Sequence, residues 1–238
     1  MQTQGADQAP GDGVSYDGER PPGDSDSDLV DSLMFESNGF DKDAMDDAIE
    51  ERKQHMLNKH LTKMEKEIYL SIKYGDSNKL RDMGGAEQCD LNFNIEIEKN
   101  LFYQPIQLAS AIGEAECLKV ILENNQTNID VVDAKTGTNA FWIACFYGRG
   151  ECVGLLANAG IDIFNKHSDT NSNGLHVAIE RKHYEVATML ISSKYPLEEK
   201  KKGGLTPLLL SARDKEAYYV SEQLVKKGAY INVVSDSG

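Results

Sequence analysis

Apolar residues return along this chain at helical spacing. Residues 41–74 hold no glycine or proline. There Met45, Ile49 and Met56 begin a stripe that Leu57, Leu61, Met64, Ile68 and Ile72 continue in steps of four, three, four and four. That spacing keeps one face of a helix apolar. It predicts a long helix, or two joined helices, leading into a folded body, with Arg52, Lys53, Lys59, Lys63 and Lys66 forming a basic face. Further on, residues 104–122, 139–156, 173–191 and 206–225 share one plan. Each is a short apolar helix with a small residue at its centre, a turn, and a second helix rich in leucine and valine.

The small residues are Ala109, Ala144, Ala178 and Ser211, separated by 35, 34 and 33 positions. A near-constant period of this length is the mark of a repeat architecture in which each unit buries its apolar face against its neighbours. Small side chains suit the place where paired helices approach closely. Gly113 and Gly148 suit a left-handed turn between the helices. Pro105 and Pro207 suit a first helical turn, where no backbone donor is needed. Leu122, Leu156, Leu190 and Leu224 are the expected buried leucines of the second helices. Residues 133–138, 166–173 and 198–204 are the expected turns between units. Residues 68–80 form a weaker unit of the same layout upstream.

Thr206-Pro207-Leu208, Leu175-His176-Val177-Ala178, Gly160-Ile161-Asp162-Ile163 and Gly228-Ala229-Tyr230-Ile231-Asn232 carry a resemblance to the ankyrin repeat. The resemblance implies a mainly α fold: a solenoid of helix-turn-helix units joined by β-hairpin-like loops. Residues 1–40 would be a disordered acidic arm, 41–63 an amphipathic helical extension, and 64–238 the repeat domain. Within it stand an N-terminal cap unit at about 64–94, repeats at about 95–132, 133–165, 166–198 and 199–234, and the start of a further repeat at 235–238. A further repeat or domain is therefore expected to follow. The sequence departs from the family pattern at Lys182 and Lys215, where glycine is usual. The family's hairpin-fixing histidine is present at His176, with Gln107, Trp142 and Leu209 in its place elsewhere. Gln107 could donate in the same way and Leu209 could not.

Charge divides the chain unevenly. The net charge is −14, but residues 1–50 hold 14 acids against Arg20 and Lys42, giving −12, and the remainder is near neutral at −2. A body without basic excess is a poor match for a phosphate backbone, so no nucleic-acid partner is expected. The first 37 residues lack apolar periodicity and carry Pro10, Pro21 and Pro22, a composition that predicts disorder. Within them Leu29, Val30, Leu33, Met34 and Phe35 stand among aspartates. They read either as a docking motif that folds on a partner or as part of a solubilising tail. Ser25, Ser27 and Ser32 are candidate phosphorylation sites. Residues 26–32 loosely resemble the phosphodegron of ankyrin-type inhibitors, which would make the arm a regulatory switch.

No secretory signal or membrane-length apolar run is present, so a cytoplasmic protein without membrane insertion is expected. Cys89, Cys117, Cys145 and Cys152 show no paired spacing and read as reduced core thiols. Neither they nor the five histidines offer metal-ligand spacing, and there is no phosphate-cradling glycine loop. No metal, cofactor or catalysis is expected. The resemblance places a protein partner on the hairpin tips and the inner-helix positions before each turn. The candidate residues are Ile112, Phe146, Tyr147, Arg181 and Arg213, an aromatic patch beside arginines, on a chain that is monomeric on its own. Aromatics and arginine are the residues that most often dominate binding energy. The alternatives are an arm-switched inhibitor and the N-terminal region of a larger enzyme, channel or cytoskeletal protein.

Overall fold

The computed structural model describes residues 61–84, 89–98 and 101–237. Leu29, Val30, Leu33, Met34, Phe35, Ser25, Ser27 and Ser32, and the extension before residue 61, lie outside the described residues. The described chain is mainly α. Thr62 opens it with extended backbone and a reciprocal capping box: Glu65 N donates to Thr62 Oγ1, and Thr62 N donates to the Glu65 carboxylate. Helix α1 (Lys63–Lys73) starts there. Of the two expectations for residues 41–74, the extended backbone at Thr62 leaves two joined helices, the first of which would lie outside the described residues.

Helix α1 pairs with α2 (Ser77–Gly84), and an antiparallel ribbon follows, β1 (Ile95–Glu98) on β2 (Leu101–Tyr103). Four further helix pairs succeed it. They are α3 (Pro105–Ile112) with α4 (Ala115–Glu123), and α5 (Ala140–Phe146) with α6 (Gly150–Ala159). Then come α7 (Gly174–Glu180) with α8 (Tyr184–Ser192), and α9 (Pro207–Ser211) with α10 (Tyr218–Lys226). The first helices pack in one row, α1 to α3 to α5 to α7 to α9, and the second helices pack in a parallel row. Later loops reduce the ribbon to single bridges, Val132 with Asn139 and Lys201 with Leu205. The loop at 166–173 closes through His167 N to Ser172 O and Asn171 N to His167 O, and Ser168 N to Thr136 O and Lys202 N to Thr170 O join it to the loops on either side.

The core lies between the rows. Ala109, Ala144, Ala178 and Ser211 are fully buried, as their size requires, and Ser211 satisfies its hydroxyl on Leu208 O. Leu156, Leu190 and Leu224 are buried, but Leu122 is only half-buried. Ile121 takes the equivalent place, twelve residues after Ala109 as Leu156 is after Ala144, and is 0% exposed. Counting leucines rather than positions set that expectation one residue late.

Two side-chain ladders tie unit to unit. In the first, the third residue of each inner helix donates to the carbonyl just before the next helix cap. Gln107 Nε2 donates to Thr138 O at 3.2 Å and Trp142 Nε1 to Ser172 O at 2.9 Å. His176 Nε2 reaches Leu205 O at 3.2 Å and Glu199 O at 2.9 Å. Carbonyls only accept, so this nitrogen carries the proton. Nδ1 faces Asn173, 3.3 Å from its backbone N and 2.6 Å from its Oδ1. Leu209 holds the same helix position and has nothing to donate.

The second ladder runs over the turns. Gly113 and Gly148 take φ of 95° and 69°. The side chain of the following unit lies directly over each. Arg149 Nε donates to Ala111 O and His183 Nε2 to Phe146 O, both at 3.0 Å. A Cβ at Gly148 would stand 2.5 Å from the His183 ring. Lys182 keeps the left-handed turn without glycine, at φ 61°. Its ammonium reaches the carboxylates of Asp214 and Glu216 in the next unit. At Lys215 the expected turn is absent. A 3₁₀ turn, Lys215–Ala217, replaces it, with Glu216 N donating to Asp214 Oδ1.

These contacts give two expectations for stability. Gly148→Ala strains a left-handed residue and strikes His183, whereas a Cβ at Gly160 (φ 84°) meets nothing within 4 Å. Urea unfolding should show Gly160→Ala costing about 1 kcal/mol and Gly148→Ala at least about twice that. Burial lowers the His176 pKa from 6.5 to about 4, so the folded state binds fewer protons than the unfolded chain between those values. Stability is therefore full above pH 6.5 and falls by about 3 kcal/mol as pH drops to about 4. His176→Gln keeps a donor and should flatten that part of the pH profile.

Candidate functional site

The inner-helix ends carry a connected run of rings. Asn139 caps α5, its Oδ1 accepting from Trp142 N at 3.0 Å, which fixes the helix register. Trp142 and Phe146, one turn apart on α5, then share a face, with centroids 5.3 Å apart and planes 23° from parallel. Tyr147, the C-cap residue, meets Phe146 edge-on at 4.9 Å. His167, from the loop after α6, lies 5.5 Å from Trp142. The stripe thus runs from a hairpin loop along the helix to its end.

Arg181, the C-cap residue of α7, lays its guanidinium 4.1 Å from the centre of the Phe146 ring. Burial lowers its pKa, yet a guanidinium stays charged at any ordinary pH. A cation held over a ring gains about 0.5–2 kcal/mol, more as water is excluded. Phe146 is held at both ends of the residue by the following unit: its carbonyl by His183 and its ring by Arg181.

Phe146, Tyr147 and Arg181 are thus brought together, but they are half-buried rather than an exposed patch. Ile112 ends α3, also half-buried and packed on the core. Arg213 is exposed and makes none of the ring contacts. It lines a surface hollow with Gly203, Leu205, Ser235, Asp236 and Ser237. The change of turn after α9 accounts for the difference, since no residue there repeats the C-cap geometry of Arg181. Trp142, which stands where the ankyrin resemblance expects a hairpin-fixing histidine, also joins this stripe, and His167 packs on it from the loop.

Near this stripe, Lys201 pairs with Glu180, the neighbour of Arg181, and Lys166 pairs with Glu199 at 2.6 Å. Lys200 and Lys202 are exposed, with no carboxylate at salt-bridge distance among the described residues. The four cysteines are buried and unpaired. Burial pushes Cys117 and Cys152 up to about 11, and Cys145 higher, which leaves them protonated and unreactive. Among the described residues no helix is long and apolar enough to cross a membrane.

No protein-family model matches the chain. Among curated proteins it is similar to XBAT31 of Arabidopsis thaliana, which is named as a candidate E3 ubiquitin-protein ligase. The two are 26% identical over 183 residues, covering 72% of this chain and 37% of the relative. The chain therefore matches little more than a third of that protein's length.

Trp142 is the single tryptophan and sits 7% exposed against Phe146. Phe146→Ala should open it to water, shifting its fluorescence to longer wavelength at a stability cost of about 2 kcal/mol, with helical circular dichroism retained.

Proposed function

We propose that this chain is an ankyrin-type repeat array that binds another protein along its inner-helix face and performs no catalysis itself. The observation that carries the reading is the stripe Trp142–Phe146–Tyr147 under Arg181. A rigid aromatic surface beside a partly desolvated cation has the composition of a binding hot spot. The array itself is supported by the period of 33–35 residues, the two helix rows and the ladders between units. Repeat arrays offer such inner faces as extended recognition surfaces because each unit repeats the same exposed positions.

The match to XBAT31 favours a second reading, in which the array holds the target for a longer ubiquitin ligase. It uses the same surface and differs in what is joined to it.

Affinity capture from native extract tests both. A partner held by the wild type should be lost from the Phe146→Ala, Tyr147→Ala double variant, provided both fold by circular dichroism. If the full natural gene product transfers ubiquitin to that partner, the second reading holds. Equal recovery of every partner by the double variant would sink the inner-face site.

A further inference from the structure

We infer that the fourth unit governs the inner-face site by holding Arg181 in place over Phe146. The inference rests on the reading of this face as a protein-binding site and concerns what sets its shape. Arg181 closes α7 between two charged neighbours, and both are ion-paired to the fourth unit. Glu180 pairs with Lys201 on the incoming hairpin. Lys182 reaches Glu216 at 3.1 Å and Asp214 at 3.5 Å, in the turn after α9. The residue that lies on a ring of the second unit is therefore flanked on both sides by attachments to the fourth.

Two features give these attachments weight. A lone exposed ion pair contributes little, whereas several charges acting together hold more. Lys182 is shared by two carboxylates, and one of them, on Asp214, also accepts from Tyr184 Oη at 2.8 Å. Lys201 is only 15% exposed, so water and salt screen its pair with Glu180 less than they would a surface pair. The second feature is the backbone. Lys182 holds φ 61°, a left-handed conformation that a residue with a Cβ rarely adopts. Gly113 and Gly148 make the same turn without strain, while Lys182 makes it with its ammonium tethered to the fourth unit. Cutting the tether lets that turn relax, and Arg181 is the residue just before it.

A proton held over the face of a ring resonates upfield, so heteronuclear NMR of the Arg181 side-chain N–H reads the contact directly. Loss of the signal in Arg181→Gln identifies it, and Phe146→Ala gives its position without the ring. A Lys201→Gln, Asp214→Asn, Glu216→Gln variant removes the fourth unit's charges and leaves an amide to accept the bonds made to Asp214. In that variant the signal should move from its upfield position toward its Phe146→Ala value, with circular dichroism unchanged. Raising salt from about 0.01 M to about 1 M should move it the same way in the wild type, which requires no variant to fold. The same salt should add nothing in the variant. A signal that stays upfield in the variant and at high salt overturns the inference, since the third unit then holds Arg181 alone. If the signal follows the ion pairs while the Phe146→Ala, Tyr147→Ala variant keeps every captured partner, the protein-binding reading fails and the fourth unit's hold on Arg181 stands.

Discussion

One carbonyl in each hairpin, bonded from two sides, organises the rest of this structure. Thr138 O, Ser172 O and Leu205 O each precede a helix cap, where the backbone has turned extended. Each accepts one bond from its own hairpin, from Asp133 N, His167 N and Lys201 N. A carbonyl oxygen has a second lone pair, and its donor comes from the unit before, through Gln107, Trp142 and His176. These three side chains differ in shape and chemistry, yet each can place one N–H at the same point. Neighbouring units are therefore locked in rotation as well as in distance. Without that lock the apolar helix rows could slide over one another at little cost, since apolar burial has no direction.

The helix pairs were legible in the sequence because apolar spacing and the small-residue period report burial directly. Ala109, Ala144 and Ala178 could be placed from size alone, and Gly113 and Gly148 from the need for a left-handed turn. What misled was the use of residue identity where position decides. Leu122 was favoured over Ile121 for being leucine, although both are apolar and one residue on a helix turns the side chain by about 100°. Lys182 and Lys215 look like the same departure from glycine. One holds the left-handed conformation with its ammonium near Asp214 and Glu216, and the other lies in a 3₁₀ turn. The difference resides in Asp214, whose carboxylate accepts from both Tyr184 and the backbone at Glu216 and so fixes the tighter turn. No local pattern announces a contact to a residue thirty positions away.

The candidate site was half legible for the same reason. Phe146, Tyr147 and Arg181 were placed by counting back from the turn, and the count holds where the turn repeats. It fails at Arg213 because the turn there does not repeat. Exposure could not be read off the sequence either. Phe146 looked like a surface ring, but Trp142 and Arg181 both pack on it and it is half-buried.

That burial bears on function. A ring packed on both an indole and a guanidinium has lost much of its freedom before any partner arrives, so little further ordering is needed to use it. The supports come from two different units: Trp142 shares a helix with Phe146, whereas His183 and Arg181 belong to the next unit. The geometry of the face is thus set by how those units stack. The Trp142 to Ser172 bond, which fixes that stacking, starts from the same ring that underlies Phe146. Trp142 therefore serves the lock between units and the floor of the surface at once, so a change that loosens one must move the other.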